Sequence, residues 1–192
     1  MGGNIALSRV KNEIEIEKKF NKAIKYCLKD EKEIEKLILK EVGYNTNISK
    51  FIKKHFDLSK EEIYVTSTST CFNVDKLKII DLEKLINLKK INDVRFINKF
   101  FESVNAKLPN SGLFLGNVET YPNRREALLK KYPVIINWVI YLFDTLFTRV
   151  FPKLPFTKKI YFYLTKGRGR VVSRAEIYGR LYSCGFEIVD EK

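Results

Sequence analysis

Histidine, cysteine and glycine are scarce in this chain, and each shortage excludes a kind of site. The three cysteines are scattered and odd in number, so the sequence supports neither a disulfide framework nor a zinc site. The single histidine, His55, has no second histidine near it and is predicted to lie on a helix surface. Only Gly167 and Gly169 form a G-x-G, and they lie late in the chain among arginines. We therefore predict that the chain binds no cofactor.

Acidic residues are scarce in the last third of the chain. Residues 121–180 contain 13 Lys and Arg but only 3 Asp and Glu. Such a basic surface attracts nucleic acid, anionic lipid or phosphorylated ligands, and a solvated basic face is the alternative. No recognised RNA-binding or DNA-binding motif is present, so nucleic acid is not the expected partner.

The start of the chain lacks a secretory signal. Residues 1–11 have no apolar core region, so we do not expect export. The unpaired cysteines fit a reducing compartment. We predict a cytoplasmic protein that lies peripherally on the inner membrane.

A long hydrophobic run covers residues 134–151, between Pro133 and Pro152. As a helix it would be about 27 Å long, barely the thickness of a bilayer core. Four polar residues follow the helical repeat along it: Asn137, Tyr141, Asp144 and Thr148. A carboxylate such as Asp144 at mid-membrane would cost roughly 2.5–3.5 kcal/mol, so a spanning helix is disfavoured.

Two interpretations of this run stay open: a helix in the membrane interface, or a helix buried in a protein groove. Trp138 and the flanking lysines and arginines favour the interface, and a core helix is the ordinary alternative. The residues predicted to meet the membrane are Trp138, Tyr141, Phe143, Phe147, Arg149 and Phe151.

Residues 91–120 predict a helix, a tight turn and a buried strand. Asn92 or Asp93 can cap the helix. Apolar residues then recur at helical spacing: Ile97, Phe100, Phe101, Val104 and Leu108. Residues 109–112 have turn chemistry, and residues 113–118 are typical of a buried strand. Together they indicate a layered α/β unit.

The other segments are predicted to surround this unit. The predicted helices cover residues 12–29, 31–42 and 48–56. The predicted strands cover residues 62–70, ending in a polar loop, and residues 158–165 and 186–189. Residues 82–88 fit either a strand or a helix end, and the strand is favoured.

The chain therefore divides into a helical lead-in and an α/β domain. The lead-in covers residues 1–60, and the α/β domain covers residues 61–192 with an apolar insertion at 121–165. The predicted fold class is α/β, with a partial Rossmann-like sheet and an inserted amphipathic helix.

A basic loop and a capped helix near the end of the chain predict an anion site. In Lys166-Gly-Arg-Gly-Arg170, two glycines free the backbone to turn its N–H groups toward an anion. Ser173 and Glu176 have the spacing of a capping box, and Gly185 ends the helix. The predicted anion-binding residues are Lys166, Arg168, Arg170 and Arg174. A basic surface loop without a ligand is the alternative.

Two turns give the chain a resemblance to the C-terminal half of a class I methyltransferase-like fold. They are the Leu-Pro-Asn-Ser-Gly turn ending at Gly112 and the Cys-Gly-Phe turn ending at Phe186. Such folds bind S-adenosylmethionine through an acidic, glycine-rich turn after the first strand. The sequence lacks that turn, so the resemblance implies a degenerate cofactor half that does not bind S-adenosylmethionine.

A second resemblance covers roughly residues 63–190. The segments that carry it are residues 91–101, 151–155, 157–161 and 173–186. They resemble the region ahead of the catalytic module in bacterial polyprenyl-phosphate glycosylphosphotransferases, which are sugar transferases of exopolysaccharide synthesis. That family's catalytic module, with its Asp-Glu pair and membrane hairpin, lies further on, so no catalytic residue carries over.

This resemblance implies an accessory or regulatory region at the cytoplasmic membrane face. The partners it implies are anionic lipid, a nucleotide-sugar or other phosphorylated ligand, and a catalytic sugar-transferase module. Two other functions stay open: a small S-adenosylmethionine-dependent methyltransferase and a basic nucleic-acid-binding protein. The sequence contains no catalytic constellation that would decide whether the chain is an enzyme.

Overall fold

A computed structural model describes residues 46–56, 63–77 and 82–191. The helices are α1 (Thr46–His55), α2 (Cys71–Asp75), α3 (Ile97–Asn105), α4 (Tyr121–Lys131), α5 (Val134–Thr145), α6 (Pro155–Thr165) and α7 (Arg174–Ser183). The strands are β1 (Ile63–Thr66), β2 (Lys84–Lys90) and β3 (Leu113–Asn117). A 3₁₀ turn follows β2 at Ile91–Asp93, and a π-helical turn follows α5 at Leu146–Val150. The predicted helices over residues 12–29 and 31–42 lie outside the described residues.

The strands form a parallel sheet in the order β1-β2-β3, with helices between them. Lys84 of β2 pairs with Ile63 on one side and with Leu113 on the other. This arrangement confirms the predicted α/β class with a partial Rossmann-like sheet. The predicted helix at 48–56 and the predicted strands at 62–70 and 82–88 are also confirmed, with shorter bounds for the first strand.

Both faces of the sheet are covered, because successive side chains of a strand point to opposite sides. Leu85 joins the larger core cluster with Phe100 and Phe101 of α3. Ile86, its neighbour, joins a second cluster with Ile52 of α1. Leu85 and Ile86 are both fully buried, so β2 is the centre of a three-layer arrangement.

The prediction that residues 113–118 form a buried strand is wrong in its burial. β3 is one of the two edge strands of the described sheet, and its side chains are half-buried or exposed. Its apolar side chains lie at the margins of the two core clusters, where burial is incomplete. Phe114 nevertheless packs into an aromatic cluster with Phe101 and Phe186, at centroid distances of 6.0 and 5.8 Å.

Two other predicted strands are wrong. Residues 158–165 belong to α6, which has Pro155 in its first turn, where the fixed φ of proline favours a helix. Residues 186–189 form no strand, because the chain leaves α7 through a tight helix end. Gly185 has φ of 83°, and the Phe186 amide donates to the carbonyl of Leu181 at 3.0 Å. This hydrogen bond is part of a Schellman ending.

The predicted helix caps had different outcomes. Ser173 caps α7 as predicted, since its Oγ accepts a hydrogen bond from the Glu176 amide at 3.1 Å. The predicted cap at Asn92 or Asp93 is wrong, because both residues lie in the 3₁₀ turn and α3 begins at Ile97. The Asn92 side chain is buried and makes other hydrogen bonds.

Candidate functional site: an apolar surface beside a cationic groove

The polar stripe of α5 and the π-helical turn faces the rest of the protein. Asn137 and Thr148 are only 6% and 8% exposed, and Asp144 is half-buried. The Asn137 amide donates to the carbonyl of Leu129 in α4 at 3.1 Å. The stripe therefore packs α5 against α4 through polar contacts.

An ion pair fixes the middle of this contact. Arg124 of α4 donates to the two carboxylate oxygens of Asp144, from Nε at 2.7 Å and from a terminal nitrogen at 2.6 Å. Glu119 lies 3.6 Å from the same guanidinium. The hydrogen bond to Asp144 raises the pKa of Arg124, although burial acts in the opposite direction. The carboxylate that disfavours a spanning helix is thus neutralised within the protein.

The opposite side of α5 is apolar and exposed. Ile135 is 84% exposed, Phe143 66% and Trp138 52%. Among the residues of α5, only Asn137 is buried. The sequence-based alternative of a buried core helix is therefore wrong, because α5 turns its polar side inward and its apolar side outward.

Helix α6 also carries exposed apolar side chains. Phe156, Ile160, Tyr163 and Leu164 are each more than half exposed. We call the exposed apolar side chains of α5 and α6 the apolar surface. No single helix in the described ranges has both the length and the apolarity to cross a bilayer. Two consecutive helical segments, Val134–Val150 and Pro155–Thr165, meet those criteria together, and they are bent by 101° relative to each other.

The residues predicted to meet the membrane fall into two groups. Trp138 and Phe143 lie on the apolar surface, and Phe147 lies at its border with 38% exposed. Tyr141, Arg149 and Phe151 are half-buried and contact other side chains. The Arg149 guanidinium, for example, lies 4.4 Å from the ring centre of Tyr121.

The basic loop does not turn its backbone toward an anion as predicted. The Gly169 amide donates to the Asp93 carboxylate at 3.1 Å, and the Gly167 amide donates to the Thr165 hydroxyl at 3.1 Å. The amides of Arg168 and Arg170 donate to backbone carbonyls. Because these amides already have acceptors within the chain, only side chains remain to attract an anion.

The structure separates the four predicted anion-binding residues. Lys166 and Arg170 line cavities beside α6. Arg168 lines neither cavity, and Arg174 is exposed and forms an ion pair with Glu191 at 3.2 Å. Only two of the four predicted residues therefore belong to the cavities beside α6.

Lys166 and Arg170 instead belong to a groove along α6. Two cavities of about 990 and 420 Å³ share Arg95, Lys153, Lys158 and Phe162 in their walls. We call the two cavities together the cationic groove. Its cationic side chains are Arg95, Arg149, Lys153, Lys158, Lys159, Lys166, Arg170 and Arg180. Among the described residues, Glu176 is the one carboxylate that lines it, and it already pairs with Arg180 at 3.0 Å.

Arg170 is the most enclosed cation of the groove. Its Nε atom is buried and has no hydrogen-bond partner within the described part of the chain. Burial, followed by the nearby charge of Arg180, lowers the pKa of Arg170. Its backbone is fixed by Asn92, whose side-chain amide donates to the Arg170 carbonyl at 2.9 Å. Sequence reasoning missed Arg95 and Arg180 as partners of Arg170, since only the fold brings them together.

The described residues offer no candidate metal site. Across residues 46–56, 63–77 and 82–191, no three His, Cys, Asp or Glu side chains come together in a way that could hold a metal ion. Comparison with protein-family models, curated proteins and solved structures finds no match for this chain.

Proposed function

We propose that this chain is a membrane-associated accessory or regulatory region of lipid-linked sugar transfer, acting at the cytoplasmic membrane face in exopolysaccharide synthesis. The observation that carries the membrane part is the outward-facing apolar surface of α5 and α6. The sugar-transfer part is supported by the resemblance of residues 91–101 and 173–186 to the region ahead of the catalytic module of bacterial sugar transferases.

The apolar surface favours a lipid contact for energetic reasons. Moving a large apolar side chain out of water contributes roughly 1.5–3 kcal/mol when burial is complete. Large exposed apolar patches mark interaction sites. Trp138 and Tyr163 are the residue types that concentrate at membrane–water interfaces, and both lie on this surface.

The charges around the apolar surface favour anionic lipid. Lys130 and Lys131 are exposed at the end of α4, just before α5 begins. Lys158 and Lys159 are exposed on α6. Each cation near an anionic membrane surface contributes about 1 kcal/mol, so charge and apolar contact act together.

The methyltransferase alternative has no support in the loop that follows β1. That loop contains no glycine, and the Thr68 amide already donates to the Asn87 side chain at 3.0 Å. A backbone amide with an internal acceptor is not available to a cofactor. We therefore do not propose methyl transfer.

Flotation with lipid vesicles tests the membrane part. The protein should float with vesicles that contain anionic lipid, and it should float less with neutral vesicles or at high salt. Trp138→Glu combined with Phe143→Glu should abolish flotation, because both side chains lie on the apolar surface. Trp138 is the sole tryptophan, so its fluorescence should shift to the blue when the wild type binds.

A matched control keeps this test specific. Phe72→Glu combined with Val189→Glu changes two exposed apolar residues elsewhere and should float like the wild type. Circular dichroism checks that each variant folds. If the first pair unfolds, Ile135→Glu with Phe156→Glu replaces it, since these residues are 84% and 89% exposed. Equal flotation of the apolar-surface variants and the control would refute membrane binding through this surface.

The sugar-transfer part has its own test. Deleting the chain in its own host should lower the amounts of lipid-linked sugar and exopolysaccharide. Trp138→Glu with Phe143→Glu should reproduce that loss, whereas the control pair should not. Unchanged levels of lipid-linked sugar after deletion would refute a role in sugar transfer. Membrane attachment would still be tested separately by flotation.

A further inference from the structure

We propose that the cationic groove binds a ligand through a phosphomonoester or diphosphate group. This inference rests on the proposed function, because it names the ligand chemistry that the chain recognises at the membrane surface. It concerns side chains that the flotation test does not change, so the two proposals can fail separately.

The first argument is unbalanced charge. Within the described residues, no carboxylate lies within ion-pair distance of Arg95, Lys158 or Arg170. Like charges in a groove repel one another, and solvent screens this repulsion less at the half-buried Arg170 than at the exposed Arg95 and Lys158. A polyanion in the groove would neutralise these charges and form charge-assisted hydrogen bonds.

The second argument is the unpaired donor of Arg170. Its Nε atom is buried without a hydrogen-bond partner in the described part of the chain. A buried donor that lacks an acceptor is costly, and the guanidinium geometry matches phosphate oxygens. Arg170 lines the smaller cavity, so its guanidinium belongs to the wall that a phosphate in the groove would meet.

The third argument is position. Arg95 follows the 3₁₀ turn after β2. Asn92 in that turn donates a hydrogen bond to the carbonyl of Arg170. In open α/β sheets, ligands bind beyond the carboxyl ends of the strands. Tyr163 lines the larger cavity and also belongs to the apolar surface. The groove therefore opens beside the proposed lipid contact, where a phosphate carried by a lipid could enter it.

Calorimetric titration with inorganic pyrophosphate tests the groove without a membrane. The wild type should bind, and binding should weaken with salt. Arg95→Gln combined with Lys158→Gln should weaken binding by about a hundredfold, the loss of two charge-assisted hydrogen bonds. Both residues are exposed, so folding should be preserved, and thermal unfolding verifies it.

The control removes the same charge elsewhere. Lys130→Gln combined with Lys131→Gln should leave pyrophosphate affinity within about twofold, because neither residue lines the groove. Two results would overturn the proposal: no pyrophosphate binding by the wild type, or equal weakening by the two double variants. Trp138→Glu with Phe143→Glu should bind pyrophosphate normally, which separates this proposal from membrane attachment.

Vesicles then distinguish a lipid phosphate from a soluble one. Phosphatidic acid presents a phosphomonoester, and phosphatidylglycerol presents a diester. The two kinds of vesicle are compared at matched surface charge. If the phosphate belongs to a lipid, the protein should float preferentially with phosphatidic acid, and added pyrophosphate should reduce that flotation. The Arg95→Gln/Lys158→Gln variant should show no preference for phosphatidic acid. Pyrophosphate binding through Arg95 and Lys158 without that preference supports the phosphate site and assigns it to a soluble phosphorylated ligand.

Discussion

At the scale of single residues, Asn92 connects two segments that are distant in the sequence. Its Oδ1 accepts the Glu119 amide at 2.7 Å. Its Nδ2 donates to the carbonyls of Glu119 and Arg170, at 2.8 and 2.9 Å. Asn92 is 2% exposed, so water has limited access to these hydrogen bonds. Asn92 thus positions the backbone beneath one wall of the cationic groove.

We expect Asn92→Leu to lower the free energy of unfolding by about 2–4 kcal/mol, because it leaves buried backbone groups without partners. Urea unfolding followed by circular dichroism measures the loss. Asn123→Leu, at an exposed position of α4, should change stability by no more than about 0.5 kcal/mol. A similar small effect of Asn92→Leu would mean that these hydrogen bonds contribute little.

At the scale of elements, the contact of α4 with α5 depends on the ion pair of Arg124 with Asp144. The two side chains are 29% and 17% exposed, so solvent screening is incomplete but present. A double-mutant cycle with Arg124→Met and Asp144→Asn should give a coupling free energy of about 1–2 kcal/mol. Lys130 and Glu126 are an exposed control pair, and solvent screening should make their coupling clearly weaker. Equal coupling in the two pairs would contradict a special role for Arg124.

Helices that bury an apolar side were predictable from the sequence. The spacing of Ile97, Phe100, Phe101 and Val104 predicted α3, and all four residues are buried. A different argument failed for α6, since the aromatic composition of residues 158–165 predicted a strand. In α6 Tyr161 is the only buried residue and most large apolar side chains face outward, so the aromatic residues do not pack on a sheet.

The cationic side chains of the candidate site were predictable from the sequence only in part. Lys166 and Arg170 stand close together in a glycine-containing loop, which is a local sequence signal for an anion site. Arg95 and Arg180 have no such local signal. They meet Arg170 only because the turn after β2 and helix α7 pack against the same segment. Contacts between distant segments are set by the tertiary fold, which local spacing does not encode.

At the scale of the whole molecule, the last described residues return to the first described helix. The Asp190 carboxylate lies 2.9 Å from Lys54 Nζ and 2.8 Å from His55 Nε2. The hydrogen bond from Lys54, then that from His55, lowers the pKa of Asp190 from 3.8 to about 2. The contact links α1 to the segment that follows α7.

This contact should depend on pH with a definite sign. Because the pKa of Asp190 is lowered on folding, its stabilising effect is complete above about pH 4 and disappears as the pH falls toward 2. A carboxyl NMR titration should give a pKa near 2, and Lys54→Met should raise it toward 3.8. Lys50→Met, on the same helix, should leave it in place. An Asp190 pKa that Lys54→Met does not change would contradict this account.

The angle between the two outer helices has a geometric consequence. A lone cylinder resting on a plane can roll about its long axis, and whatever is attached to it rolls as well. Two cylinders joined at 101° have no common axis to roll about. Any flat surface that touches both α5 and α6 must therefore hold the parallel sheet at one fixed tilt. Attachment would then also fix the orientation of the sheet relative to that surface, and the carboxyl ends of the strands would keep a constant height above it.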